Sequence, residues 1–166
     1  MTLPKSGLVL ALGVAAAGVA GCGQAPAPGS TPVPEAREIT RANSATFGDY
    51  IVHFNAQSTT MLPVDVARAF GIRRSSNRAM LNIAVLRRSE ANGGAPQAAA
   101  VDVQATNLLG QLKDVPVREL REGEAIYYIG ELRVANEEII NFNISVRPVD
   151  SDTPHQFRFQ QQFYTD

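Results

Sequence analysis

From residue 46 onward, apolar side chains recur at every second position, the period of a β-strand with one buried face. In TFGDYIVHFNA, Tyr50, Val52 and Phe54 share one face, while Asp49, Ile51, His53 and Asn55 share the other. In IINFNISV, Ile140, Phe142, Ile144 and Val146 oppose Asn141, Asn143 and Ser145. HQFRFQQQFY sets Phe157, Phe159 and Phe163 against Arg158, Gln160 and Gln162. Between these lie AMLNIAVLRR, AAVDVQATNLL, VPVREL and EAIYYIGELRV, rich in β-branched or aromatic residues. The pattern predicts about seven strands.

Turn chemistry separates the strands. Glu90-Ala91-Asn92-Gly93-Gly94-Ala95-Pro96 reads as a hairpin loop, Arg121-Glu122-Gly123 as a second turn and Asp150-Ser151-Asp152-Thr153-Pro154 as a third. One short helix is predicted after Pro63, with Val64, Ala67, Ala69 and Phe70 as its apolar face and Gly71 as its stop. The expected fold is all-β: an antiparallel β-sandwich, immunoglobulin-like, of about seven strands with one short helix. A small β-barrel is the competing closure. With one cysteine and no tryptophan there is no Cys-Trp-Cys pattern, so packing alone must hold the layers.

The N-terminal region follows another rule. Lys5 is the only charge before an uncharged run from Gly7 to Gly21, GLVLALGVAAAGVAG. A positive start followed by a short apolar stretch is the layout of a secretory signal peptide. Its 15 residues fall short of the ~20 that a permanent transmembrane helix needs. Val19-Ala20-Gly21-Cys22 resembles a bacterial lipobox, which implies cleavage after Gly21 and a lipid on the Cys22 sulfur. Several acyl chains, each methylene contributing about 0.8 kcal/mol when buried, would anchor the protein firmly. Gly23 stands where an inner-membrane retention signal would show Asp, which favours the outer membrane, facing the periplasm. Four of the ten prolines fall between Pro26 and Pro34, so residues 22–45 read as an extended tether. The expected organisation is signal 1–21, tether 22–45 and sandwich 46–166.

The segments GDYIVHFNA, AFGIRRSSNRAMLNIAVL, TNLLGQLKDV, REGEAIYYIGEL, ANEEIINFNISVRP and FRFQQQFYTD resemble, in order, the domain-of-unknown-function family numbered 4426. The resemblance covers residues 46–166. It implies an all-β sandwich from secreted or periplasmic proteins of Gram-negative bacteria, and it brings no established activity, cofactor or catalytic residue. The lipobox and the proline-rich tether depart from the plain cleaved signal that the family would suggest.

Charge and composition narrow the function further. Fifteen Lys and Arg against sixteen Asp and Glu exclude a strongly basic nucleic-acid binder, and loss of Lys5 with the signal leaves a net charge of −2. A lipidated Cys22 is unavailable as a thiolate, and neither a Gly-x-Ser-x-Gly elbow nor a phosphate-binding glycine loop is present. His53 and His155 are the only histidines. Asp49 lies on the strand face of His53 but ~13 Å along the chain, too far to share a metal without other strands. No metal, cofactor or catalytic set is therefore expected.

The remaining polar cluster is Gly71-Ile72-Arg73-Arg74-Ser75-Ser76-Asn77-Arg78. Arginine forks suit carboxylates and phosphates, so Arg73, Arg74, Asn77 and Arg78 are candidate contacts for an anion, a partner carboxylate or a lipid headgroup. The bland alternative is an entrance loop bonded to backbone carbonyls and nearby acids. His53 and Tyr127 complete the candidate set, Tyr127 as an exposed contact, with a ring beneath a covered edge as the stronger alternative. The expected function is a lipid-anchored, non-enzymatic binding or accessory protein of the cell envelope, touching the membrane through Cys22 and an envelope protein through its surface. The alternative is a periplasm-facing carrier of a small anion or metal ion.

Overall fold

The computed structural model describes residues 43–89 and 94–165. The expected signal peptide, Cys22, residues 23–42 of the expected tether and residues 90–93 of the expected hairpin loop lie outside the described residues, whereas Ser44 and Ala45 at the tether's end belong to the first strand. Ten strands and one helix are present among them: β1 (Ser44–Phe47), β2 (Tyr50–Ser58), α1 (Val64–Ala69), β3 (Arg78–Arg87), β4 (Ala95–Pro96), β5 (Ala99–Asn107), β6 (Leu112–Lys113), β7 (Val117–Glu122), β8 (Ala125–Arg133), β9 (Glu138–Pro148) and β10 (His155–Phe163). The larger sheet has the order β1-β2-β3-β8-β7, with β4 paired to the end of β3; the smaller has the order β10-β9-β5-β6. All pairings are antiparallel. The two sheets form a sandwich and close no barrel.

The seven segments with strand periodicity correspond to β2, β3, β5, β7, β8, β9 and β10. Three further strands raise the count. Gly48, at φ +55°, turns the chain between Phe47 and Tyr50, so the first expected strand becomes the hairpin β1–β2. The positive φ suits glycine because it has no Cβ to clash. Strands β4 and β6 have two residues each, too few for a period to register. The first strand opens at Ser44, two residues before the boundary read from the sequence.

Alternation builds the core. Val52, Phe54 and Ala56 of β2 and Leu81, Ile83 and Val85 of β3 face Phe142, Ile144 and Val146 of β9 and Phe157 and Phe159 of β10. The Phe54 ring lies 4.7 Å from both Phe157 and Phe159, and Phe142 stacks on Phe159 at 4.8 Å. Such pairs contribute about 0.5–1.5 kcal/mol each beyond area burial. Tyr128 also points into this core. Its hydroxyl accepts the Ala99 N–H at 2.7 Å and donates to Glu119 Oε2 at 3.3 Å, linking β8 of one sheet to β5 of the other. Burial and the adjacent Glu119 carboxylate push the Tyr128 phenol up, while the Ala99 bond opposes them.

The helix covers the outer face of the larger sheet. Pro63 is its N-cap, and Gly71, at φ +64°, ends it while the Ile72 N–H returns to the Ala67 carbonyl at 2.7 Å. Its packed face is Val66, Ala67 and Phe70. Val64 and Ala69, read from the sequence as part of that face, are exposed instead, because a six-residue helix docks only about one side of two turns. Beneath it lie Leu62, Ile72, Met80 and Ile129, joined by Leu120 and Tyr127.

Candidate functional site

Strand β8 determines where a site can form. EAIYYIGEL has apolar residues at consecutive positions, and both faces of β8 are covered. Ile126 and Tyr128 enter the main core; Tyr127 and Ile129 face outward under the helix. Glycine at 130 permits the connection before β7 to cross close by, since a Cβ there would stand 2.7 Å from Val115 Cγ1.

The outward face holds a groove of about 250 Å³ lined by Asn55 and Gln57 of β2, Met80 and Asn82 of β3, Tyr127 and Ile129 of β8, Glu122 of β7, and Leu62 and Phe70 from the helical connection. Register assembles it: Asn55 pairs with Asn82, Gln57 with Met80, and Asn82 with Ile129. Arg118 Nη2 donates to the Phe70 carbonyl and ties the helix end to β7. Apolar walls and a few convergent amides are the usual lining of a small-molecule or peptide site. The Asn82 Oδ1 atom is buried in this lining and has no hydrogen-bond partner. Leaving a buried acceptor unpaired costs about 1–3 kcal/mol, and a water or a ligand group entering the groove can supply the donor. Glu122 is the one charged side chain of the lining.

The sequence candidates are dispersed around this groove. Tyr127 lines it and is half-buried under the covering elements. His53 is exposed on the same sheet face, one alternate position beyond Asn55 and opposite Ala84. The arginine loop lies elsewhere, where β3 begins, and its side chains diverge. Arg74 Nη2 donates to the Thr60 carbonyl at 2.7 Å, and Arg78 pairs with Glu131 at 3.1 Å. Asn77 Oδ1 accepts from Ser75 Oγ at 2.7 Å, and the Asn77 carbonyl accepts the Val134 N–H. Thr59, fully buried, holds the Ser75 backbone through both a donated and an accepted bond. Arg73 is exposed. The structure therefore brings Tyr127 to the groove and does not bring Arg73, Arg74, Asn77, Arg78 or His53 together. Asn82 was missed from sequence; its signal is one amide amid the apolar run AMLNIAVL.

Two other groups are electrostatically tuned. The Tyr50 hydroxyl donates to Asp150 Oδ1 at 2.7 Å, and the bond to that carboxylate, with burial, raises its pKa. At Glu138 burial acts upward but is outweighed by Lys113, the Ala135 N–H and Asn107, so its carboxyl lies below the ordinary value. Among the described residues, no group of three or more His, Cys, Asp or Glu is placed to hold a metal.

An antiparallel sandwich with a helix-covered outer groove is the class of protein these features define. The profile of the domain of unknown function DUF4426 matches residues 44–166, and the chain belongs to that family. A crystal structure of a DUF4426 family protein from Pseudomonas aeruginosa PAO1 is similar to it, with 28% identity, a TM-score of 0.63, and 74% of this chain and 94% of that chain covered. A family 123 glycoside hydrolase from Clostridium perfringens is 9% identical over 69% of this chain and 27% of that chain, with a TM-score of 0.35, and carries no argument. No curated protein matches the chain.

Proposed function

We propose that the protein is a non-enzymatic binding protein of the bacterial cell envelope, held at the periplasmic side of the outer membrane by a lipid on Cys22. Its recognition site is the groove between α1 and the outer face of the larger sheet. The observation that carries this reading is the buried, unpartnered Asn82 Oδ1 amid apolar walls. A ligand with an apolar body and an N–H or O–H donor satisfies both features. The Glu122 carboxylate at the rim favours a neutral or cationic donor group over an anion.

The test is to purify the chain from envelope fractions and identify bound small molecules by mass spectrometry, alongside Asn82→Leu. The wild-type chain should carry a stoichiometric amphipathic molecule that Asn82→Leu loses. Equal loading of both chains would sink the groove as the site. The anchor is tested separately: Cys22→Ser should lose fatty-acid labelling and leave the membrane fraction, and unchanged labelling would refute it.

A further inference from the structure

One end of the sandwich gathers exposed apolar side chains. At this end β2 finishes, β3 begins, β5 turns into β6 and β10 finishes. Leu108, Leu109 and Leu112, on the β5–β6 hairpin, are 64%, 85% and 77% exposed. Tyr164 follows β10 there, and Met61 and Val64 lie on the connection leaving β2. Six of the seven large exposed hydrophobic side chains among the described residues thus lie on connections or short element starts at this end; Val149 is at the other.

The hairpin tip is held open by its own hydrogen bonds. Asn107 Oδ1 accepts the Leu109 N–H at 3.0 Å and the Gln111 N–H at 2.9 Å, and Asn107 Nδ2 donates to Gln111 Oε1 at 2.7 Å. Gly110 adopts φ +77° and its N–H bonds the Asn107 carbonyl at 3.0 Å. The leucines therefore project from a braced loop. Leu112 also lines a cleft with Arg78, Lys113 and Arg133. Glu131 and Glu138 already neutralise Arg78 and Lys113, and Asp114 of the same cleft offsets Arg133, which leaves Arg73 and Arg74 of the α1–β3 loop as the cations for an anionic surface.

The chain also joins the domain from this side. Asn43 bonds Phe54 midway along β2, and β1 then runs toward the opposite end, so the preceding residues attach on the leucine side. Cys22 lies 21 residues before Asn43. Twenty-one residues can span at most about 75 Å, so a lipid on Cys22 would keep a bilayer within that reach of the domain.

We propose that this end is a bilayer-contacting face, with Leu108, Leu109 and Leu112 seated at the boundary between headgroups and acyl chains. The proposal rests on the lipid-anchor reading for bringing a bilayer within reach. The chain contains no tryptophan, so Leu109→Trp supplies a single fluorescent reporter and Val149→Trp its control at the far end. Each full-length chain is mixed with excess phosphatidylethanolamine–phosphatidylglycerol vesicles, and the vesicles are floated.

Leu109→Trp should show emission shifted to shorter wavelength. Bromines on the acyl chains should quench it about twofold or more beyond Val149→Trp, since interfacial groups sit ~5–10 Å into the boundary. An unshifted Leu109→Trp spectrum, or equal quenching of the two chains, overturns the proposal. Failure of the anchor instead shows as protein left out of the floated fraction, so the spectrum and the quenching are read on the floated, vesicle-bound protein alone. As a second variant, Leu108→Ser with Leu109→Ser should leave the melting temperature and the mass in sedimentation unchanged. A drop in oligomer mass overturns the proposal in favour of a second copy covering the leucines.

Discussion

The two sheets turn opposite outer faces to their surroundings. On the larger sheet, Met80, Ile129, Leu120 and Tyr127 point outward and α1 folds over them. On the smaller, the outward positions are Asp102, Gln104 and Thr106 of β5, Asn141, Asn143 and Ser145 of β9, and Gln156, Arg158 and Gln160 of β10. Cross-strand amide bonds such as Gln160 Nε2 to Asn141 Oδ1, at 2.8 Å, and water satisfy that face. The same inward alternation thus supports a bare hydrated face on one side and a second, smaller core on the other. A sandwich needs only its inner faces apolar. The second apolar layer is more than a two-layer sandwich requires, and it is this layer that carries the groove.

The contrast can be broken most severely under the helix. Ala67 is 2% exposed, and Ala67→Asp should destabilise the protein by about 3 kcal/mol or more by placing a carboxylate in an apolar layer. Chemical denaturation checks this; a loss below 1 kcal/mol would mean that α1 is dispensable packing. Next comes Asn82→Leu. Removing the unpartnered acceptor should raise stability by about 1–3 kcal/mol while emptying the groove. A destabilised Asn82→Leu chain would show that the amide is satisfied in the free protein.

The sheets should also differ in acid. Glu138 begins β9 and binds Lys113 of β6, so it closes the edge of the smaller sheet. Its folded pKa is depressed below 4.5, so its contribution is fully present above that unfolded value and is lost as pH falls through the folded one. Below about pH 4.5, hydrogen exchange in β6 should accelerate before exchange in β3 and β8. Glu138→Gln should abolish that order, and an unchanged order would assign the acid response elsewhere. The smallest effect belongs to the open face: Asn143→Ser should shift stability by no more than about 0.5 kcal/mol, as read from its thermal melt. A larger loss would show that this face is itself a packed surface.

Strand content and core were legible because a period of two survives wherever a strand exceeds about five residues. Ile140, Phe142, Ile144 and Val146 are all buried as their spacing requires. The turn at Gly48 breaks the parity, since Phe47 is out of step with Tyr50, Val52 and Phe54, but the apolar run before it is too short to show as a strand of its own. The groove was half legible. Consecutive apolar residues in β8 mark a strand covered on both faces, Tyr127 among them, but do not say what covers it. Asn82 gave no local sign of its state, because whether an amide finds a partner depends on strands brought together from distant segments. The arginines illustrate the reverse: side chains adjacent in sequence fan out to Thr60 and Glu131 once Thr59 fixes the loop.

The first strand has a mechanical meaning. Four residue pairs join β1 to β2, and Phe47 stacks on His155 at 4.9 Å and leans on Phe157 at 6.1 Å. Every other strand of the larger sheet pairs independently of it. A pull on the chain upstream of Asn43 is therefore delivered first to this short clip. Under load β1 should yield before β2, β3, β8 and β7 part, releasing a few residues of slack before the rest of the domain is at risk.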